Sequence, residues 1–221
     1  MILEVKNYSK TIKDKQILNN INLKLTSGNV YGFYGRNGSG KTMLFRGIST
    51  LIYPTKGDVF IDNISIINGN YDLSKIGLLL EEPDFYPYLT GLDNLSLLYE
   101  INNKKDICHI KKIMKEVGLL ENQPEKYREY SLGMKQKLRI AQAIMENQGL
   151  IILDEPTNGL DEESVIKFHE LIKKLKKDNK LILIASHNKD DLRLLCDKIF
   201  KIDAGELMGE IKLWIQEKYL L

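Results

Sequence analysis

The chain has 221 residues, 43% of them hydrophobic, and a net charge of +2 from 32 basic and 30 acidic residues. That is enough apolar chain for one sizeable α/β domain, and the charge balance excludes a global field that would steer the protein to nucleic acid. The two cysteines, Cys108 and Cys196, show no metal-ligand spacing and fit a reducing compartment.

The N-terminus has no signal-peptide layout, and no apolar run approaches the roughly 20 residues needed to cross a bilayer. A soluble, cytoplasmic chain is expected, with any membrane role passing through a partner. Residues 2–6 and 21–25 pattern as strands, with a polar turn region at 10–15 between them. A turn at 26–29 leads into an apolar, aromatic strand at 30–34. Next come Gly35, Arg36, Asn37, Gly38, Ser39, Gly40, Lys41 and Thr42, which fit the Walker A pattern G-x-x-x-x-G-K-[ST]. Met43, Leu44, Ile48 and Leu51 follow at helical spacing. The glycines let successive N–H groups face one anion, and the following helix points its positive end at the same place. Lys41 then reaches the β- and γ-phosphates of a nucleotide, and the Thr42 hydroxyl ligates Mg²⁺.

A turn at 54–57, a strand at 58–62 and a short apolar strand at 76–80 come next. From about residue 83 to 148 the signals are mostly helical, as in Ile107, Ile110, Ile113, Met114 and Val117, and read as a helical lobe inserted into the nucleotide domain. Within it, Ser131 is a good N-cap whose hydroxyl, with the Gly133 backbone, suits an anion, although most such turns merely cap. The strand at 150–153 runs into Asp154 and Glu155. A buried strand stopping at Asp154 fits Mg²⁺ binding, and Glu155, just past it, is set to polarise water. The helix at 164–177 carries lysines opposite its apolar face, a solvated face rather than a nucleic-acid patch. A strand at 181–185 precedes His187; a lone His there is usually structural, and His109 and His169, within helical runs, keep that reading. Residues 199–206 read as a terminal hairpin about Ala204 and Gly205, followed by an amphipathic tail with Trp214. Apolar strands alternating with helices predict a mainly parallel sheet covered on both faces.

Taken together these motifs resemble the nucleotide-binding subunit of ABC transporters, over nearly the whole chain. The resemblance rests on GRNGSGKT (35–42), SLGMKQ (131–136), LIILDE (150–155), NGLD (158–161) and His187 after LILIAS. It implies an α/β, P-loop NTPase fold: a mainly parallel sheet core, an N-terminal antiparallel β-subdomain and an inserted helical subdomain, all one ATPase domain over residues 1–221. It further implies that Ser131, Gly133 and Gln136, as the signature, act in trans on nucleotide held by the Walker A loop of a second subunit, in a head-to-tail homodimer or a pair with a paralogous ATPase. Asp161 resembles the aspartate that communicates across that dimer. His187 resembles the histidine that contacts the γ-phosphate and orients Glu155 and the water.

Three departures accompany the likeness. The usual signature is LSGGQ; here Leu132 replaces the first Gly and Met134 the Gln. Glu81 stands where a Gln follows the 76–80 strand, and either ligates Mg²⁺ or turns outward. Ile12 stands where an aromatic stacks on adenine, with Tyr8 nearby but out of register. The first two departures resemble the bacitracin and lantibiotic export or self-protection branch. The aromatics of residues 83–89 either receive a membrane subunit or pack locally. The expected function is ATP hydrolysis, with ATP and Mg²⁺, powering export of a peptide antibiotic, drug or lipid through a separate integral membrane permease. The alternatives are a non-transport ATPase that remodels a soluble partner and an ATP-dependent sensor without turnover.

Overall fold

Alternation along the buried strands decides how the layers stack. The computed structural model describes residues 1–69, 71–80, 85–119 and 124–211, so Glu81 and Trp214 lie outside the described residues. In chain order the elements are β1 (Ile2–Ile12), β2 (Lys15–Thr26), β3 (Asn29–Tyr34), α1 (Lys41–Ile48), β4 (Lys56–Ile61), β5 (Ile64–Ser65), β6 (Ile76–Leu79), α2 (Gly91–Tyr99), α3 (Ile107–Glu116), α4 (Leu132–Ile144), β7 (Leu150–Asp154), α5 (Glu162–Lys177), β8 (Leu181–Ser186), α6 (Lys189–Leu195), β9 (Lys198–Asp203) and β10 (Glu206–Ile211).

The central sheet runs β10-β9-β3-β8-β7-β6; its pairs are parallel except β9–β10. Parallel strands are covered on both faces, which is why β7 and β8 are continuous apolar runs. Side chains still alternate between the faces. Ile151, Leu153, Ile182 and Ile184 face a core shared with α3, α4 and α5. Leu150, Ile152, Leu181 and Leu183 face a second core with α1 and the antiparallel sheet β2-β1-β4-β5. Each such fully buried Leu or Ile contributes about 1.5–3 kcal/mol. The helices α2, α3 and α4 lie in sequence between β6 and β7, which are neighbours in the sheet. Among the described residues, no helix is long and apolar enough to cross a membrane.

The polar stretch at 10–15 is not a broad turn. β1 continues to Ile12, β2 begins at Lys15, and only Lys13 and Asp14 turn, with φ of 45° and 64°. Two consecutive positive φ values make the tight turn whose twist matches a β-hairpin, so polar residues at its tip stay in strands. The terminal hairpin forms as expected from β9 and β10. Helix α6 and the short β5 go beyond the elements expected from the sequence.

Candidate functional site

The C-terminal ends of β3, β8 and β7 lie side by side, because Tyr34 pairs with Ser186 and Ala185 with Asp154. Whatever follows those strands therefore meets at one edge: residues 35–42, His187 and Glu155. Ligands of open α/β sheets bind at that edge.

The glycine loop leaves β3 and enters α1 through Gly40, whose φ of 110° is open only to glycine. No side chain caps α1, so its first N–H groups are left to an external acceptor. Ser39 Oγ is buried with no hydrogen-bond partner among the described residues. Lys41, 5% exposed, donates to the Gly35 carbonyl at 2.8 Å and holds its ammonium across the mouth of its own loop. An orphaned hydroxyl, free helix N–H groups and a buried ammonium are what a phosphate group needs. The loop is braced from far along the chain: Gly205 N–H donates to Ser39 O and Asn19 N–H to Gly205 O, both at 2.9 Å.

Thr42 Oγ1 donates to Asp154 Oδ2 across the gap between α1 and β7. Two hard oxygen donors side by side fit Mg²⁺, which takes one or two protein ligands and fills its octahedron with water and phosphate oxygens. The described residues contain no cluster of three or more His, Cys, Asp or Glu able to hold a metal by itself.

Glu155 has a φ of 48°, a left-handed conformation costing a non-glycine residue on the order of 1 kcal/mol or more. The turn aims its carboxylate back over the sheet edge. Oε1 accepts His187 N–H at 3.0 Å and Oε2 contacts His187 Nδ1 at 2.8 Å. Ser186 Oγ also donates to Oε2, at 3.3 Å, and Lys41 Nζ stands 3.9 Å from Oε1. The carboxylate, imidazole and ammonium thus meet beside a half-open hollow of about 260 Å³ lined by Ile17, the glycine loop, Thr42, Asp154 and Glu155.

The remaining expected site residues divide. Ser131 caps α4, its Oγ accepting Met134 N–H at 3.2 Å, and it is exposed beside an exposed Leu132. Gly133 sits against the Gly159 carbonyl, 3.1 Å from where a Cβ would lie. Asp161 caps α5 by accepting Ser164 N–H at 2.7 Å, and the hydrogen bonds from Ser164 hold its carboxyl below the usual range. Gln136 does not face outward with Ser131. It is 4% exposed, and its amide donates to Pro156 O at 2.9 Å and Glu155 O at 3.4 Å of its own chain. The reason is helical spacing: Gln136, Ile140 and Ala143 share the inward stripe of α4.

Ile12 lies at the exposed tip of the β1–β2 hairpin, paired with Lys15. The apolar side chains lining the hollow are instead Ile17, on the opposite strand, and Met43 of α1. Tyr8 is fully buried, donates to Ile52 O at 3.2 Å and packs on Gly47, and burial pushes its phenol up to about 12. It belongs to the core and not to a base-binding face. Of the aromatics near residue 85, Phe85 is buried against Tyr127, while Tyr86 and Tyr88 are exposed.

Ile17 belongs to no motif and carried no signal. Gln136 did carry one, as a polar residue in helical line with Ile140 and Ala143.

A strand, glycine loop and helix set beside a parallel strand that ends in an aspartate define a P-loop nucleotide-binding protein. More narrowly, the chain belongs to the ABC transporter ATP-binding family, whose model, described as ABC transporter, matches residues 18–158. It is 38% identical to the uncharacterized ABC transporter ATP-binding protein YybJ of Bacillus subtilis (strain 168), over 93% of this chain and 94% of that one. It is 35% identical to the bacitracin transport ATP-binding protein BcrA of Enterococcus faecalis, over 96% of this chain and 70% of that one. Among solved structures, the dimeric bacterial ABC transporter cassette MJ0796 superposes with a TM-score of 0.86 at 29% identity, over 96% of this chain and 98% of that one. The same cassette is also known as a dimer in a post-hydrolysis state bound to ADP and Pi.

Proposed function

We propose that the chain is the ATP-hydrolysing subunit of an ABC-type exporter, working as a single ATPase domain at the inner face of the cell membrane. The observation that carries this reading is the Glu155–His187 pair set against Lys41 and the Thr42–Asp154 contact. Lys41 and the loop amides hold the β- and γ-phosphates. Thr42 and Asp154 would hold Mg²⁺, which offsets the charge of the phosphate oxygens. Glu155 orients a water on the γ-phosphorus and takes its proton as the new P–O bond forms. The bond from phosphorus to the β-bridging oxygen breaks, and ADP leaves with that electron pair. His187 holds the Glu155 carboxylate in line through its ring and its backbone N–H. Ser131 and Gly133 of a second copy, or of a paralogous ATPase, close the site over the γ-phosphate. Asp161 stands at the same dimer face.

Export through a separate membrane permease draws its support from the bacitracin-transport relative. The exposed Tyr86 and Tyr88, the latter under Arg128 at 5.1 Å, suit a protein-facing surface and are where that permease docks. A peptide antibiotic is the substrate class this likeness favours.

Steady-state phosphate release by the purified chain with Mg²⁺ and ATP tests the enzymatic half of the reading. Parental turnover above background is expected, and none at all leaves only a nucleotide-binding sensor. Affinity capture from membranes solubilised in mild detergent tests the other half. A multi-span partner is expected, and recovery of soluble partners alone rejects export.

A further inference from the structure

Arg139 is a buried cation that the proposed hydrolysis does not use. It lies on α4, is 7% exposed, and lines a hollow of about 220 Å³ with Asp154, Glu155 and Leu80. Its Nη1 donates to Gln136 Oε1 at 3.3 Å. The other end of that carboxamide donates to Pro156 O and Glu155 O. A guanidinium only donates and a backbone carbonyl only accepts. Arg139 therefore fixes the orientation of the amide: Oε1 must face the guanidinium, which leaves Nε2 for the two carbonyls. A flipped amide would set oxygen against oxygen in a place with little water to compensate. Of the two carbonyls so held, the nearer is that of Pro156 and the other that of Glu155, the residue in the left-handed turn that carries the carboxylate.

We propose that Arg139 is a positioning residue for ATP hydrolysis, acting through Gln136 on the backbone of Glu155, so that the placement of α4 sets the aim of the water-activating carboxylate. The inference rests on the ATPase reading above. It adds a link within one chain. Helix α4 opens at Ser131, on the face expected to meet a second subunit's nucleotide, and Gln136 lies five residues along the same rod. A shift of α4 on dimer closure moves the amide, and the amide moves the turn.

The test is steady-state phosphate release by the full chain, with kcat and KM for ATP measured separately and folding checked by thermal melting. Arg139→Met should lower kcat about tenfold, the scale on which outer-shell partners act, with KM within about twofold of parental because no phosphate contact is lost. Arg139→Lys, which keeps one donor on a long stem, should recover part of that loss. Gln136→Leu should match Arg139→Met, and the double variant should be no slower than Gln136→Leu, because the two act in series. A folded Arg139→Met with parental kcat overturns the proposal, as do losses that multiply in the double variant. A rise in KM at unchanged kcat also overturns it, since that would make Arg139 a binding group. If Arg139→Met does not fold, Gln136→Leu decides: parental kcat rejects the link and a tenfold loss at constant KM supports it. A parental chain that releases no phosphate removes the ATPase reading, and this inference with it, before any variant is compared.

Discussion

The glycine loop and the Ser131 turn are both expected to hold phosphate, yet one chain builds them differently. Around the loop everything is tied: Lys41 is buried on the Gly35 carbonyl, Thr42 meets Asp154, and Gly205 braces Ser39. Around the turn little is. Ser131 spends its hydroxyl on a helix cap and stands in the open beside an exposed Leu132. Preorganisation on one side and a bare turn on the other are what completion by a second subunit, as proposed above, would require. The exposed turn also costs the isolated chain nothing in buried, unpaired polar groups.

The variant expected to widen that difference most is Glu155→Gln. Turnover should drop by roughly 10²–10⁴-fold, the worth of a placed acid or base, while ATP stays bound and the dimer persists in size-exclusion chromatography. Parental turnover would remove Glu155 from its assigned role. Lys41→Ala should weaken ATP binding by roughly 10²-fold, because it leaves buried phosphate charge without its partner; isothermal calorimetry would reveal unchanged affinity and break the tied half of the comparison. Ser131→Ala should leave nucleotide affinity of the monomer untouched. It should slow turnover roughly tenfold, the worth of one hydrogen bond to a charged group, and lower stability by about 1 kcal/mol through the lost cap. Turnover at the parental rate would mean the turn only caps.

The smallest expected effect lies away from both regions, at His169 on α5. Burial holds its ring below the ordinary value of 6.5, with Asp191 opposing and Lys173 reinforcing that shift. Its Nε2 is buried with no hydrogen-bond partner among the described residues. The unfolded chain takes up a proton on this ring near the ordinary value, and the folded chain only at lower pH. The unfolded state thus binds more protons in that window, so stability is held above about pH 6.5 and lost as the pH falls. Thermal melting of the parental chain between pH 7.5 and 5.5 should show a modest fall that His169→Phe flattens. Equal slopes would mean the ring does not contribute.

What could be read before any coordinates was the part whose physics is local. A phosphate loop needs its glycines, lysine and hydroxyl consecutive in the chain, so Gly35 to Thr42 announce themselves. Buried parallel strands need unbroken apolar runs, so β7 and β8 do too. Ile17 was not legible, because lining the hollow depends on where a hairpin crosses the loop. Tyr8 is a neighbour of the site in sequence and a core residue in space. Gln136 was read from its motif as facing a partner, while the spacing of α4 turned it inward. Arg139 gained meaning only once that amide was seen against Glu155.

The brace on the glycine loop has a consequence for how the protein comes into being. Ser39 O waits for a donor that arrives with Gly205. Chain synthesis runs from the N-terminus, and contacts between distant residues must await the later one. Until residue 205 has been made, then, the nascent chain carries every residue of its phosphate loop without that hydrogen bond. The shape of the loop is thus completed by the turn between β9 and β10, some 165 residues further along the chain than the loop itself.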